Sequence, residues 1–289
     1  MDPIPISQMA VVRDHSRTFP QNFYVYPVIS RRSEGLSIGV NLNPDKVCNF
    51  DCIYCEVNRR VAPLTKVLDV PRMREELVRM IQWVKSGGLA QTDKFREARD
   101  LAGKIKDIAF SGDGEPTMVP NFAECVRTVA EVKRAEGLTK TKLVLITDAA
   151  GLDKVDVKQG LAIMDANQGE IWGKLDAGTE AYFRLVNRTH IVFDRILKNL
   201  AQTAIARPIV IQSLFLRVHG QGMPPEELAA YCGRLRDIAG QGGRIREVHA
   251  YTVARPTPEA FATAMPAEDL EAMAVVIRRE TGLVVRAFP

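Results

Sequence analysis

Short apolar stretches of strand length alternate with segments of helical period along most of this chain. That alternation restricts the fold more than any other feature. The strand-like stretches are Leu36–Leu42, Ile105–Phe110, Lys142–Thr147, Glu170–Leu175, Pro208–Val218 and Arg244–Tyr251, with a short terminal one at Leu283–Phe288. Helix-period segments fall between them at about 71–86, 120–136, 191–205, 224–239 and 266–281. Two have clear starts. Pro224-Pro225-Glu226-Glu227 and Pro266-Ala267-Glu268-Asp269 put proline and acid into a first turn, where a missing N–H is harmless and negative charge meets the helix dipole. Strand–helix alternation specifies a parallel sheet with crossover helices. In the first strand Ser37, Gly39 and Asn41 share one face, and Leu36, Ile38, Val40 and Leu42 the other. A flat parallel sheet is apolar on both faces, so a polar face points to a barrel around a polar ligand. The expected fold is α/β, a partial (β/α)6 barrel over residues 36–289. Residues 1–35, with Pro3, Pro5, Pro20 and Pro27, read as an irregular N-terminal extension packing on it. No linker long enough to separate two domains interrupts the pattern.

Composition narrows the class. Of 289 residues, 46% are apolar and 26% charged, which excludes collagen-like and disordered chains. Lys and Arg number 39 against 35 Asp and Glu, a net charge of +4 that permits RNA or an anionic small molecule as partner without demanding either. No apolar run approaches the roughly 18 residues of a membrane span. Met1-Asp2-Pro3-Ile4-Pro5 has neither the basic nor the apolar region of a secretory signal. Five cysteines cannot pair evenly, and three of them lie between Cys48 and Cys55. A metal site in a reducing cytoplasm is therefore expected rather than a disulfide framework.

The cysteine loop, Cys48-Asn49-Phe50-Asp51-Cys52-Ile53-Tyr54-Cys55, follows the first strand. Three thiolates on one loop suit an iron–sulfur cluster and leave one iron without a protein ligand. A structural zinc site completed by His15, His190, His219 or His249 is an alternative. Cys125 and Cys232 stand alone in helical segments and read as small buried hydrophobes. After the second strand, Ser111-Gly112-Asp113-Gly114-Glu115 places two glycines beside an acid, so that backbone carbonyls can approach an ammonium closely; a plain tight turn is the bland reading. Period 2 puts Trp172, Lys174 and Asp176 on one face of the fourth strand, where the two charges need each other or a ligand. Gln212 and Ser213 point to opposite faces, so one alone reaches the interior. Thr147, Arg217, His219 and Arg255 fall at strand ends, the basic ones giving the barrel mouth a field for an anionic substrate.

The C-x3-C-x2-C spacing, with Tyr54 before the last cysteine, resembles the signature of the radical S-adenosylmethionine (radical SAM) superfamily. The resemblance implies a TIM-like barrel of the radical SAM type and one 4Fe-4S cluster on Cys48, Cys52 and Cys55. It implies S-adenosyl-L-methionine chelated at the open iron and cleaved reductively to a 5′-deoxyadenosyl radical. Tyr54 would lie near the adenine. Gly112, Gly114 and Glu115, a variant of the superfamily's GGE motif with Asp113 interposed, would hold the methionine amino group. Thr147, Lys174, Asp176 and Ser213 are assigned to the sugar or carboxylate, with Lys174 and Asp176 as the catalytic pair. Arg217, His219 and Arg255 are the substrate candidates. Residues 20–289 are similar to the Fe–S oxidoreductases related to wyosine-base synthases, through Tyr24-Val25-Tyr26-Pro27-Val28, Ser30-Arg31-Arg32, Gly35–Asn41, Lys174-Leu175-Asp176-Ala177-Gly178 and Tyr251-Thr252-Val253-Ala254-Arg255-Pro256. Those synthases hold a second cluster on upstream cysteines, and residues 1–47 contain none, so the cofactor chemistry carries over without the substrate. An RNA base or a small molecule is expected as substrate and a flavodoxin or ferredoxin as electron donor. The location expected is cytoplasmic, with no membrane contact. A glycyl-radical-type activating enzyme is the alternative within this chemistry.

Overall fold

The computed structural model describes residue 6, residues 9–13, residue 19, residues 22–63 and residues 65–289. Much of the expected N-terminal extension, and His15 with it, lies outside the described residues. By its internal packing the chain divides into two compact units. The first comprises Met1–Val47, Arg59–Ile146 and Lys154–Glu170, and the second Cys48–Asn58, Thr147–Asp153 and Ile171–Pro289.

The first unit opens on β1 (Val25–Ser30), antiparallel to β2 (Gly35–Val40) with Val25 opposite Val40. The sequence shows no strand here, because Pro27 and the aromatic patch break the pattern. Proline is tolerated on β1 because it is an edge strand. A buried carboxylate secures it: Glu76 of α1 (Val70–Lys85) accepts the backbone N–H groups of Phe23, Tyr24 and Val25 at 3.0, 2.8 and 3.2 Å. Arg72 is 3.2 Å from the same carboxylate. The parallel ladder then runs from β2 to β3 (Ile105–Phe110) and from β3 to β4 (Lys142–Thr147), with Val40 beside Phe110 and Phe110 beside Leu145. Two further long helices of the unit are α2 (Phe122–Ala135) and α3 (Val155–Asp165). The sequence reading missed α3, whose buried positions Val157, Gly160, Leu161 and Met164 have helical period but include a mid-helix glycine. That glycine lets α3 close on α2, since a Cβ at Gly160 would lie 2.6 Å from the Phe122 ring.

In the second unit, β5 (Gly169–Lys174, here from Ile171) pairs in parallel with β6 (Ile209–Leu214). Between them in sequence lie α4 (Glu180–Asn187) and α5 (Phe193–Ala206). The expected long strand Pro208–Val218 is corrected: it ends at Leu214, and Phe215 turns to donate its N–H to the Tyr251 carbonyl at 2.8 Å. The remainder is a separate strand, β7 (Leu216–Val218), followed by α6 (Pro225–Gly240) and β8 (Ile245–Tyr251). β7 pairs antiparallel with β9 (Ala262–Ala264) in a two-stranded sheet of its own. After α7 (Ala267–Thr281), β10 (Val285–Phe288) joins β8 in parallel. Both proline-led helices start where the sequence places them, with Pro224 and Pro266 at the caps. Among the described residues no helix is long and apolar enough to cross a membrane.

Candidate active site

In the second unit the cysteine loop is held by the end of α4. Asp51 N–H donates to the Asn187 carbonyl at 3.1 Å and Ile53 N–H to the Val186 carbonyl at 3.0 Å. The Thr189 hydroxyl donates to the Asn49 carbonyl at 2.9 Å. Phe50 seats edge-on against Phe183 of α4, ring centroids 5.4 Å apart. Ile53 and Tyr54 are buried with Val186, Leu214, Leu216, Val253 and Ala262. The small β7–β9 sheet thus supplies part of the apolar bed beneath the loop, which explains why the chain leaves the main ladder after Leu214.

On that bed sits a polar cluster. Asp176 accepts the Leu214 N–H on Oδ1 at 2.9 Å, and on Oδ2 the Asn187 Nδ2 at 2.9 Å and the Tyr54 hydroxyl. Lys174 Nζ donates to the Tyr54 hydroxyl at 3.0 Å and lies 3.7 Å from Asp176 Oδ2. Tyr54 therefore donates once and accepts from Lys174 and, at 3.4 Å, from Asn187. Burial pushes its phenol well above the usual range, and the Asp176 charge adds to this, so Tyr54 is a protonated donor. For Lys174, burial works against the charge, but Asp176, Tyr251 and Cys52 outweigh it and its ammonium is held above the ordinary value. Lys174 is thus a fixed cation and a poor amine nucleophile. Asn187 Nδ2 also donates to Cys52 Sγ at 3.4 Å. Burial is the main reason the Cys52 thiol is pushed up to about 11. The pairing of Lys174 with Asp176 anticipated from strand period is present; the hubs Tyr54 and Asn187 make it a network.

Cys48, Cys52 and Cys55 are each half-buried. Among the described residues no three His, Cys, Asp or Glu side chains are gathered as a metal site. The donor set still fits an iron–sulfur cluster by its chemistry: three soft thiol ligands on one loop. Beside them, the Asn187 Oδ1 atom is buried with no hydrogen-bond partner. The two other cysteines are buried on α2 and α6, with burial lifting Cys125 to about 12 and raising Cys232. Both are core residues.

Register corrects the reading of β6. Lys174, Gln212 and His249 stand opposite one another on β5, β6 and β8, so they share one face. Ser213 has the other parity. Its hydroxyl is wholly buried and committed to the Leu175 carbonyl at 2.6 Å and the Tyr231 hydroxyl of α6 at 2.7 Å. Gln212, not Ser213, is the residue on the Lys174 face. The Thr147 hydroxyl accepts Ala149 N–H at 3.1 Å, closing the turn after β4. The substrate candidates each have protein partners. Arg217 lies on the side strand β7 and pairs with Asp269 at 2.7 Å. His219 stacks on Phe261 at 4.7 Å, and Arg255 pairs with Glu56 of the cysteine loop.

In the first unit, the Ser111–Glu115 turn is built around Asn41. Asn41 Oδ1 accepts the N–H groups of Asn43 and Asp113, each at 3.1 Å, while its Nδ2 donates to Asp113 Oδ2 at 2.8 Å. A Cβ on Gly112 would lie 2.2 Å from Asn41 Oδ1, and one on Gly114 would lie 1.9 Å from the Val47 carbonyl. Both positions require glycine because neighbours fill the space. Glu115 accepts Thr117 N–H and hydroxyl at 3.0 and 2.6 Å, capping its own turn, and donates its N–H to Val47, the residue before Cys48, at 3.1 Å.

Sequence reasoning missed Asn187 and chose Ser213 over Gln212. Asn187 stands 135 residues from Cys52, in the last turn of a short helix, and carries no local signal of its role.

No known family model matches the chain. A UPF0026 protein of Methanocaldococcus jannaschii is 27% identical over 181 residues, 60% of this chain and 47% of that protein. SuiB of Streptococcus suis, solved bound to S-adenosylmethionine, superposes with a TM-score of 0.52 at 11% identity over 89% of this chain and 48% of that one. TYW1, solved with a lysine-pyruvate adduct bound, gives a TM-score of 0.50 at 13% identity over 93% of this chain and 79% of that one. The α/β class and a partial, TIM-like barrel shared with these two structures are therefore the fold of this chain. In sequence the chain is similar to the UPF0026 proteins, and in fold to SuiB and TYW1. The chain spans about half the length, or less, of the curated relatives it matches.

Proposed function

We propose that this chain is a radical SAM enzyme in which Cys48, Cys52 and Cys55 hold one 4Fe-4S cluster and S-adenosyl-L-methionine is the co-substrate. When bound, the cluster supplies the electron for reductive cleavage of the sulfonium and so a 5′-deoxyadenosyl radical. The observation that carries this reading is the hydrogen-bond network joining Cys52 and Tyr54 of the cysteine loop to Lys174, Asp176 and Asn187. A closed structural metal site has no use for a fixed cation and a fully bonded carboxylate beside its ligands. Lys174, held charged, binds and orients a carboxylate or sugar oxygen. Asp176 fixes Lys174 and Tyr54 in place, and the apolar bed under Ile53 and Tyr54 excludes water from that side of the loop. To the Gly112–Glu115 turn we assign what its sequence implies, close backbone approach to an ammonium. The substrate class is an RNA base or a small molecule, with a flavodoxin or ferredoxin as electron donor.

The test is anaerobic reconstitution with iron and sulfide, followed by dithionite and S-adenosyl-L-methionine. Brown protein that releases 5′-deoxyadenosine is expected, with release lost in Cys52→Ala. Colourless protein carrying one zinc per chain, or a Cys52→Ala variant as active as the parent, overturns the reading.

A further inference from the structure

Asn187 belongs to no recognised motif of the chain, yet it touches three members of the network at once. Its Nδ2 lies 2.9 Å from Asp176 Oδ2, 3.4 Å from the Tyr54 hydroxyl and 3.4 Å from Cys52 Sγ. The side chain is almost wholly buried, and its Oδ1 has no partner. A buried amide oxygen left unbonded costs about 1–3 kcal/mol, so the amide is not placed here for stability alone. The backbone around it is tied to the cysteine loop independently, through the Asn187 carbonyl to Asp51 N–H and the Val186 carbonyl to Ile53 N–H. Loop anchoring is therefore the work of the main chain, and the side chain is free for a separate task.

We propose that Asn187 is a positioning residue that donates a hydrogen bond to the Cys52 sulfur and thereby sets the reduction potential of the cluster. The proposal rests on the reading of the cysteines given above. Asp176 orients the donor: its Oδ2 takes one amide hydrogen of Asn187, which leaves the other directed by the planar amide toward the sulfur and the phenol. A donor to a ligating sulfur favours the more negative, reduced state of a cluster, because added negative charge strengthens the bond. Removing it makes the cluster harder to reduce.

The test is a potentiometric titration of the reconstituted full chain, followed by electron paramagnetic resonance, comparing the parent with Asn187→Leu and Asn187→Ala. Leucine keeps the volume and removes the donor; alanine guards against misfit of the branched side chain. The expected result is a midpoint potential shifted to more negative values in the variants, at unchanged iron and sulfide content and with the parent's circular dichroism spectrum. An unshifted potential in a loaded variant overturns the proposal while leaving the cluster assignment intact. A variant that folds but loses iron makes Asn187 an anchor and overturns the tuning role as well. A parent chain that takes up no iron sinks the cluster assignment itself, and this proposal with it.

Discussion

Two buried charges decide the behaviour of this chain at the scale of single residues. Lys174 is kept cationic by Asp176, Tyr251 and Cys52 against the pull of burial. Its replacement in Lys174→Met removes a charged donor worth about 1.5–3 kcal/mol. The affinity for S-adenosyl-L-methionine is expected to fall about ten- to hundredfold by isothermal titration, with the circular dichroism spectrum unchanged. Asp107 behaves differently. It stands on β3 opposite Ser37, whose hydroxyl it accepts at 2.5 Å, and burial raises its carboxyl from the ordinary 3.8. Above pH 3.8 the unfolded chain releases a proton that the folded chain still holds. Its contribution to stability is therefore present at low pH and lost as pH rises through the folded value. Between about pH 4 and pH 7 the urea midpoint of the parent is expected to fall more, or rise less, than that of Asp107→Asn. Equal slopes for the two proteins count against this account of Asp107. At this scale the sequence shows which residues carry charge, and Ser37 and Asn41 are visible as an inner polar face. Pairing is not visible, because Tyr54, Lys174 and Asn187 meet only across long loops.

Among the elements, the glycine turn after β3 has the sharpest steric consequence. A methyl group at Gly114 meets the Val47 carbonyl at 1.9 Å, and backbone cannot move aside as a flexible side chain can. Gly114→Ala is expected to lose about 1–3 kcal/mol in urea denaturation and to weaken S-adenosyl-L-methionine binding at the same time. A variant of parental stability contradicts the crowding described here. The strands and helices themselves were largely legible. Hydrophobic period located five helices within two residues at most ends, because each buries a continuous apolar stripe. Where it failed, a physical rival was at work. Gly160 interrupts the stripe of α3 for the sake of packing on Phe122, Pro27 sits on an edge strand, and the apolar run through Pro208–Val218 conceals a change of partner from β8 to β9.

For the whole molecule, a surplus of 39 basic over 35 acidic residues leaves little net field. If the substrate is an RNA base, recognition has to come from a pocket more than from phosphates. Filter binding to RNA is expected to give a log–log salt slope of magnitude about 2–3, and a slope several times steeper points to an extended basic surface instead. Composition, the alternation of the main strands and helices, and the spacing of Cys48, Cys52 and Cys55 were settled by the sequence alone, because period and covalent spacing are local properties of a chain. Which polar groups face each other was left to the tertiary structure. Register puts Gln212 rather than Ser213 beside Lys174, an early end to β6 sends Arg217 onto a side sheet, and the end of α4 brings Asn187 to Cys52. Contacts of that kind depend on strand parity and on loop closure over more than a hundred residues, and no local pattern of side chains encodes them.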